Sequence, residues 1–147
     1  MSLEVLYMYR NVLVATDGSS QAATAASQAI EFAHTFDATL HVLYVIDSKL
    51  ARTDATREPF KQTGERALNE IKADAAEKGV SVTTSVEEGA PAQVILDYAE
   101  TRGIDLIILG GKTKSAAERF FIGNTAEKVV RHAPMSVLIV REENESV

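Results

Sequence analysis

Residues 105–140 read DLIILGGKTKSAAERFFIGNTAEKVVRHAPMSVLIV, and this stretch decides the fold. Leu106–Leu109 and Val137–Val140 are short, β-branched apolar runs of the length expected for buried strands. Between them stand the pair Gly110–Gly111, a basic loop, and Gly123-Asn124-Thr125 at the head of an amphipathic segment. A glycine turn past a strand lets backbone approach a ligand, because no β-carbon intervenes. A helix N-terminus offers free N–H groups and the positive end of a dipole, which suits phosphate. The two features belong to one strand–loop–helix unit, so both can face a single anion.

Working outward, the same grammar recurs. Asn11–Ala15 is an apolar run followed by Thr16-Asp17-Gly18-Ser19-Ser20, a turn whose serines suit a helix cap. Ala22, Ala25, Ala26, Ala29, Ile30, Ala33 and Phe36 then recur at helical spacing, giving one apolar stripe. Thr39–Ile46 is the second strand. Asp47–Glu58 is polar and aperiodic and reads as a mobile loop or a frayed helix start. A helix over Phe60–Lys78 follows, with Gly79 as its terminator. Val80–Val86 is a more polar strand suited to a sheet edge. Glu87–Pro91 reads as a turn, Pro91 opens a helix to about Arg102, and Gly103 ends it. The last helix spans Asn124–Arg131, and Pro134 stops it.

Strands and helices alternate throughout, which predicts an α/β fold: an open, doubly wound, mostly parallel five-stranded sheet with helices on both faces. Right-handed crossovers prune the topologies to a doubly wound layout, for which the order 3-2-1-4-5 is the expectation, with strands one and four taken as central neighbours. Ligands of such sheets bind past the carboxyl ends of the strands, where the order reverses. Asp17 and Gly110 are expected at that crevice.

Bulk composition narrows the function. A chain of 147 residues, 46% hydrophobic and 24% charged, suits one globular domain. We place that domain at residues 8–141, with 1–7 an extension or tag remnant, Met8 a second start candidate, and 142–147 a flexible acidic tail. The net charge of −6 argues against a nucleic-acid partner. The absence of cysteine excludes disulfides and thiolate chemistry. No stretch reads as a membrane span or a secretory signal, so the expected location is the cytoplasm.

Among chemistry-bearing residues, Asp17 reads two ways: as a carboxylate that accepts from a nucleoside, or as a turn and cap residue. Lys112, Lys114 and Arg119 add positive charge to the loop, as anion partners or as ordinary solubilising groups. His34, His41 and His132 lack metal-ligand spacing; His132 suits a helix C-terminus. There is neither a nucleophile elbow nor a Walker lysine, and no acid–base pair stands out, so no catalytic residue is named.

The chain resembles the universal stress protein family over nearly its whole length. VLVATDGS at residues 12–19, YVID at 44–47, EEGAPAQVI at 87–95 and RHAPMSVLIVR at 131–141 carry the likeness. ATP-binding members of that family carry Gly-x2-Gly-x9-Gly-Ser/Thr. Here Gly110 and Gly123 match, while Thr113 stands at the second glycine and Asn124 follows the third, with Thr125 one step later. The resemblance implies a site for ATP or a related adenine nucleotide, with Mg or Mn as the accompanying metal. Ala15, Thr16, Asp17 and Val45 would hold the adenosine part; Gly110, Gly111, Lys112, Thr113, Gly123, Asn124 and Thr125 would hold phosphates. If the Thr113 position needs a left-handed backbone, its β-carbon costs about 1–2 kcal/mol, roughly tenfold in affinity. Asn124 and Thr125 each have a side-chain donor that can replace a serine contact. The resemblance further implies a stress-response sensor or regulator that pairs as a homodimer through Ser136–Val140. The alternatives are a dimeric interaction protein with a vestigial pocket, and a slow ATPase.

Overall fold

The computed structural model describes residues 2, 4, 8–111 and 122–142. Five strands and four helices alternate: β1 Asn11–Thr16, α1 Ser20–Phe36, β2 Thr39–Asp47, α2 Asp54–Glu77, β3 Val82–Gly89, α3 Pro91–Thr101, β4 Leu106–Gly111, α4 Asn124–His132 and β5 Ser136–Arg141. The strands form one parallel sheet in the order β3-β2-β1-β4-β5. The expected doubly wound α/β architecture and its strand order are therefore what the chain adopts. The order of winding reverses between the parallel neighbours β1 and β4, whose ladder pairs Val12 with Leu106 and Val14 with Ile108.

The strands are apolar on both sides because both sides are covered. Val12, Val14, Leu40, Val42, Leu106 and Ile108 point to one face and meet α1 and α2. Leu13, Ala15, Leu43, Ile107 and Leu109 point to the other and meet α3 and α4. The small stripe of α1 is fully used: Ala22, Ala25, Ala26, Ala29 and Ala33 are all buried. Alanine at these positions brings helix backbone close to the strands, which matters at Gly110 below.

Two spans differ from the sequence reading. The polar segment before Phe60 is neither a mobile loop nor a frayed start beyond Thr53. The second helix begins at Asp54, where Thr53 and Thr56 form a reciprocal capping box. Pro59 then lies in the second turn, where it removes one backbone donor. Arg57 offsets this by tying the start of α2 to the sheet. Its guanidinium reaches Glu88 at 2.5 Å, Asp54 at 2.9 Å and the carbonyl of Ala51 at 3.1 Å. The third strand starts at Val82 and continues through Glu87 and Glu88 to Gly89; these are not a turn. They pair with Val45, Ile46 and Asp47, so β2 and β3 run on together past the end of β1.

Among the described residues no helix is long and apolar enough to cross a membrane. Of the proposed tail only Glu142 is described, and it accepts a hydrogen bond from Thr24 Oγ1 at 3.4 Å. The rest of the tail, and all but Ser2 and Glu4 of residues 1–7, lie outside the described residues.

Candidate functional site

The carboxyl ends of β1, β2 and β4 meet the starts of α1 and α4, and this edge holds most of the residues singled out from the sequence. β1 ends at buried Thr16, whose Oγ1 accepts from the Gly18 N–H at 3.1 Å. Asp17 follows, exposed, with Oδ1 accepting from the Ser19 N–H at 2.9 Å. Ser19 in turn caps α1, its Oγ accepting from the Ala22 N–H at 3.2 Å. The turn reading of Asp17 is thus what its Oδ1 shows. One oxygen shapes the turn, and the other makes no hydrogen bond among the described residues.

The β1–β2 ladder ends at the pair Thr16–Tyr44, while β2 continues to Asp47 against β3. Backbone at Val45 thus projects past β1 on the side facing Asp17. Parallel ladders leave peptide groups ready to pair where a neighbour stops short, and these are available to a flat polar ligand edge. Ala15 is buried one residue before the ladder ends.

On the other side of β1, Gly110 and Gly111 end β4. A β-carbon on Gly110 would stand 2.6 Å from the carbonyl oxygen of Gln21. The glycine there admits α1 backbone, so its bare Cα faces the protein's own helix. A β-carbon on Gly111 would stand 2.6 Å from Ile139 Cγ2 and 3.8 Å from Ile122 Cβ. The chain that leaves β4 at Gly111 therefore comes back beside it at Ile122, immediately before α4. Gly123 is the N-cap of α4 with φ 99 and ψ 150, a conformation for which glycine is suited. It supplies no side-chain cap, so among the described residues the first turn of α4, beginning at exposed Asn124 and half-buried Thr125, presents amides without a side-chain cap at the end of β4. Lys112, Thr113, Lys114 and Arg119 lie outside the described residues.

A cavity of about 110 Å³ lies beside the β1–α1 turn. Thr16, Gly18 and Ser19 line it, together with Glu70, Ile71 and Asp74 of α2; Asp17, Val45, Gly110 and Gly123 do not. Among the described residues no group of histidine, aspartate and glutamate is arranged to hold a metal ion.

Two groups escaped sequence reasoning. The Arg57–Glu88 pair at the same edge holds the Glu88 carboxyl below its ordinary pKa through a hydrogen bond and charge. At the opposite, amino end of the sheet, buried His41 bridges Tyr98 Oη at 2.9 Å and Asn11 Oδ1 at 3.1 Å. Arg102 lies over the Tyr98 ring, 5.1 Å from its centre. Asn11 accepts from Nε2–H, which leaves Nδ1 to accept from the tyrosine hydroxyl.

Comparison with known proteins agrees with this architecture. The model of the universal stress protein family matches residues 8–141. A universal stress protein of Methanocaldococcus jannaschii is 34% identical over 92% of this chain and 84% of its own length. The universal stress protein UspA of Lactobacillus plantarum superimposes with a TM-score of 0.75 at 31% identity, over 90% of this chain and 98% of that one. A universal stress protein solved in complex with cAMP superimposes with a TM-score of 0.67 at 25% identity, over 90% and 97%. With a family match across nearly the whole fold and relatives above 30% identity, the chain belongs to the universal stress protein family.

Proposed function

We propose that the chain binds an adenine nucleotide, ATP with Mg or Mn or a related phosphate, at the carboxyl edge between β1 and β4, and acts as a cytoplasmic, non-catalytic sensor module. The observation that carries this is the return of the chain at Ile122 beside Gly111, which sets the start of α4 against the end of β4. Amides of Gly123, Asn124 and Thr125 would receive phosphate oxygens, and the β2 overhang at Val45 would meet the base, with Asp17 beside the sugar. The cAMP complex of a family relative supports the ligand class. In this reading occupancy, rather than turnover, is the signal. Calorimetric titration with ATP, AMP and cAMP, with and without Mg or Mn, tests this. Saturable binding below millimolar ligand is expected; no heat of binding at millimolar ligand overturns it.

A second reading has its own observation. Gly110, one of the matched glycines, is already filled by the backbone of Gln21. In that reading the pocket is vestigial and the module works through contacts alone. It expects nucleotide binding to emerge or tighten only in Thr113→Gly.

We also propose that the protein pairs with a second copy through β5. Ser136–Arg141 is an edge strand, Leu138 on it is 40% exposed, and a groove lined by Phe32 and Phe36 adjoins it.

A further inference from the structure

We propose that Tyr44 is a further ligand contact of this crevice, its hydroxyl binding a ribose hydroxyl of the nucleotide beside the Asp17 carboxylate. The proposal rests on nucleotide occupancy of the crevice and names a residue that neither the glycine spacing nor the turn at Asp17 indicates.

Tyr44 is the last residue of β2 paired with β1, opposite Thr16 and one step before Val45, where β2 outruns β1. Its ring is held firmly. A β-carbon on Gly64 of α2 would lie 2.4 Å from Cδ1 and 2.6 Å from Cε1, so that glycine exists to let helix backbone close on the ring. The residue is only 1% exposed. A buried tyrosine ordinarily finds a partner for its hydroxyl. Tyr44 makes no hydrogen bond among the described residues. No fully enclosed side-chain oxygen or nitrogen there lacks a partner, so Oη is not sealed in. The small exposed part of the residue is then its polar tip.

Asp17 lies close by along the chain: Tyr44 pairs with Thr16, the residue before Asp17, and a β-carbon on Gly18, the residue after it, would lie 2.9 Å from Cγ2 of Thr63, the neighbour of Gly64. Burial first, and the Asp17 charge second, push the phenol above its ordinary pKa. The group is thus a neutral hydroxyl, able to donate and accept, next to a carboxylate that only accepts. A vicinal diol matches this pair: one ribose hydroxyl donates to Asp17, and the other exchanges a hydrogen bond with Tyr44. A core role alone would be served by phenylalanine, since the ring contacts with Gly64 need no oxygen.

The test titrates AMP into wild type and Tyr44→Phe, with parallel titrations of the 2′-deoxy and 3′-deoxy forms. Phenylalanine preserves the packing on Gly64, so the unfolding midpoint is expected to hold. Affinity for AMP is expected to fall about three- to tenfold, the worth of one neutral hydrogen bond. The loss should vanish with whichever deoxy form lacks the hydroxyl that Tyr44 binds. Equal AMP binding by wild type and Tyr44→Phe, or a loss that persists with both deoxy forms, overturns the inference and leaves the nucleotide site standing. Failure of wild type to bind AMP or ATP at all overturns both.

Discussion

Gly110 of β4 abuts the first turn of α1 so closely that a β-carbon on it would sit 2.6 Å from the backbone oxygen of Gln21. Backbone cannot swing aside as a side-chain tip can. Gly110→Ala is therefore expected to destabilise the ligand-free protein by about 1–3 kcal/mol through overpacking. Urea denaturation without nucleotide reads this directly. An unchanged midpoint would mean that the glycine is needed only when ligand is present.

Gly64 sets two effects against each other. Alanine in a helix interior gains about 0.8–1 kcal/mol over glycine. The methyl group would also drive into the Tyr44 ring at 2.4 Å, where overpacking costs about 1–3 kcal/mol. The clash is expected to win, so Gly64→Ala lowers the thermal midpoint. A raised midpoint would show that the ring can retreat, and would weaken the account of Tyr44 as a fixed group.

His41 gives the fold a pH dependence of known sign. Burial, and next the positive charge of Arg102, hold its imidazole below the ordinary pKa. The unfolded chain then binds a proton at a pH where the folded chain does not. Stability from this group is present above about pH 6.5 and is lost as the pH falls toward the depressed native value. Urea midpoints at about pH 7.5 and about pH 5.5 should differ in wild type and differ less in His41→Gln. An equal fall in both proteins would assign the effect to other groups.

Leu138 tests the pairing of two copies. A lysine there places charge on an apolar edge strand beside Phe32 and Phe36. Light scattering is expected to give a dimer for wild type and a monomer for Leu138→Lys. A monomeric wild type would end the β5 proposal.

Much of this molecule was legible in the sequence because its elements are locally marked. The alanine stripe of α1, the apolar runs of β1 and β4, and Pro91 at the start of α3 each carry their own signal. The start of α2 was not legible, because Pro59 argues for a boundary there. The Thr53–Thr56 capping box and the Arg57 clamp to Glu88 override it, and the second of these joins residues distant in sequence. Glu87–Gly89 likewise looked like a turn; only pairing with the overhang of β2 makes it strand. At the site, Gly123-Asn124-Thr125 marked the start of α4, but not which residue is its N-cap, since asparagine and threonine both suit that position and Gly123 takes it. The filled state of Gly110 was hidden, because a glycine that admits a helix and one that admits a phosphate are spelled alike. Tyr44 and His41 were hidden for a related reason: their roles depend on Gly64, Asn11 and Tyr98, which only the fold brings near.

The central claim is a location, so the most direct measurement maps one. Backbone amide resonances would be followed by heteronuclear NMR while ATP and magnesium are added. The account predicts saturable shifts at Asp17, Val45, Gly111, Gly123, Asn124 and Thr125, with the start of β5 at Ser136 and Val137 and the His41 end of the sheet unmoved. Shifts confined to other surfaces, or none at millimolar ATP, would contradict it.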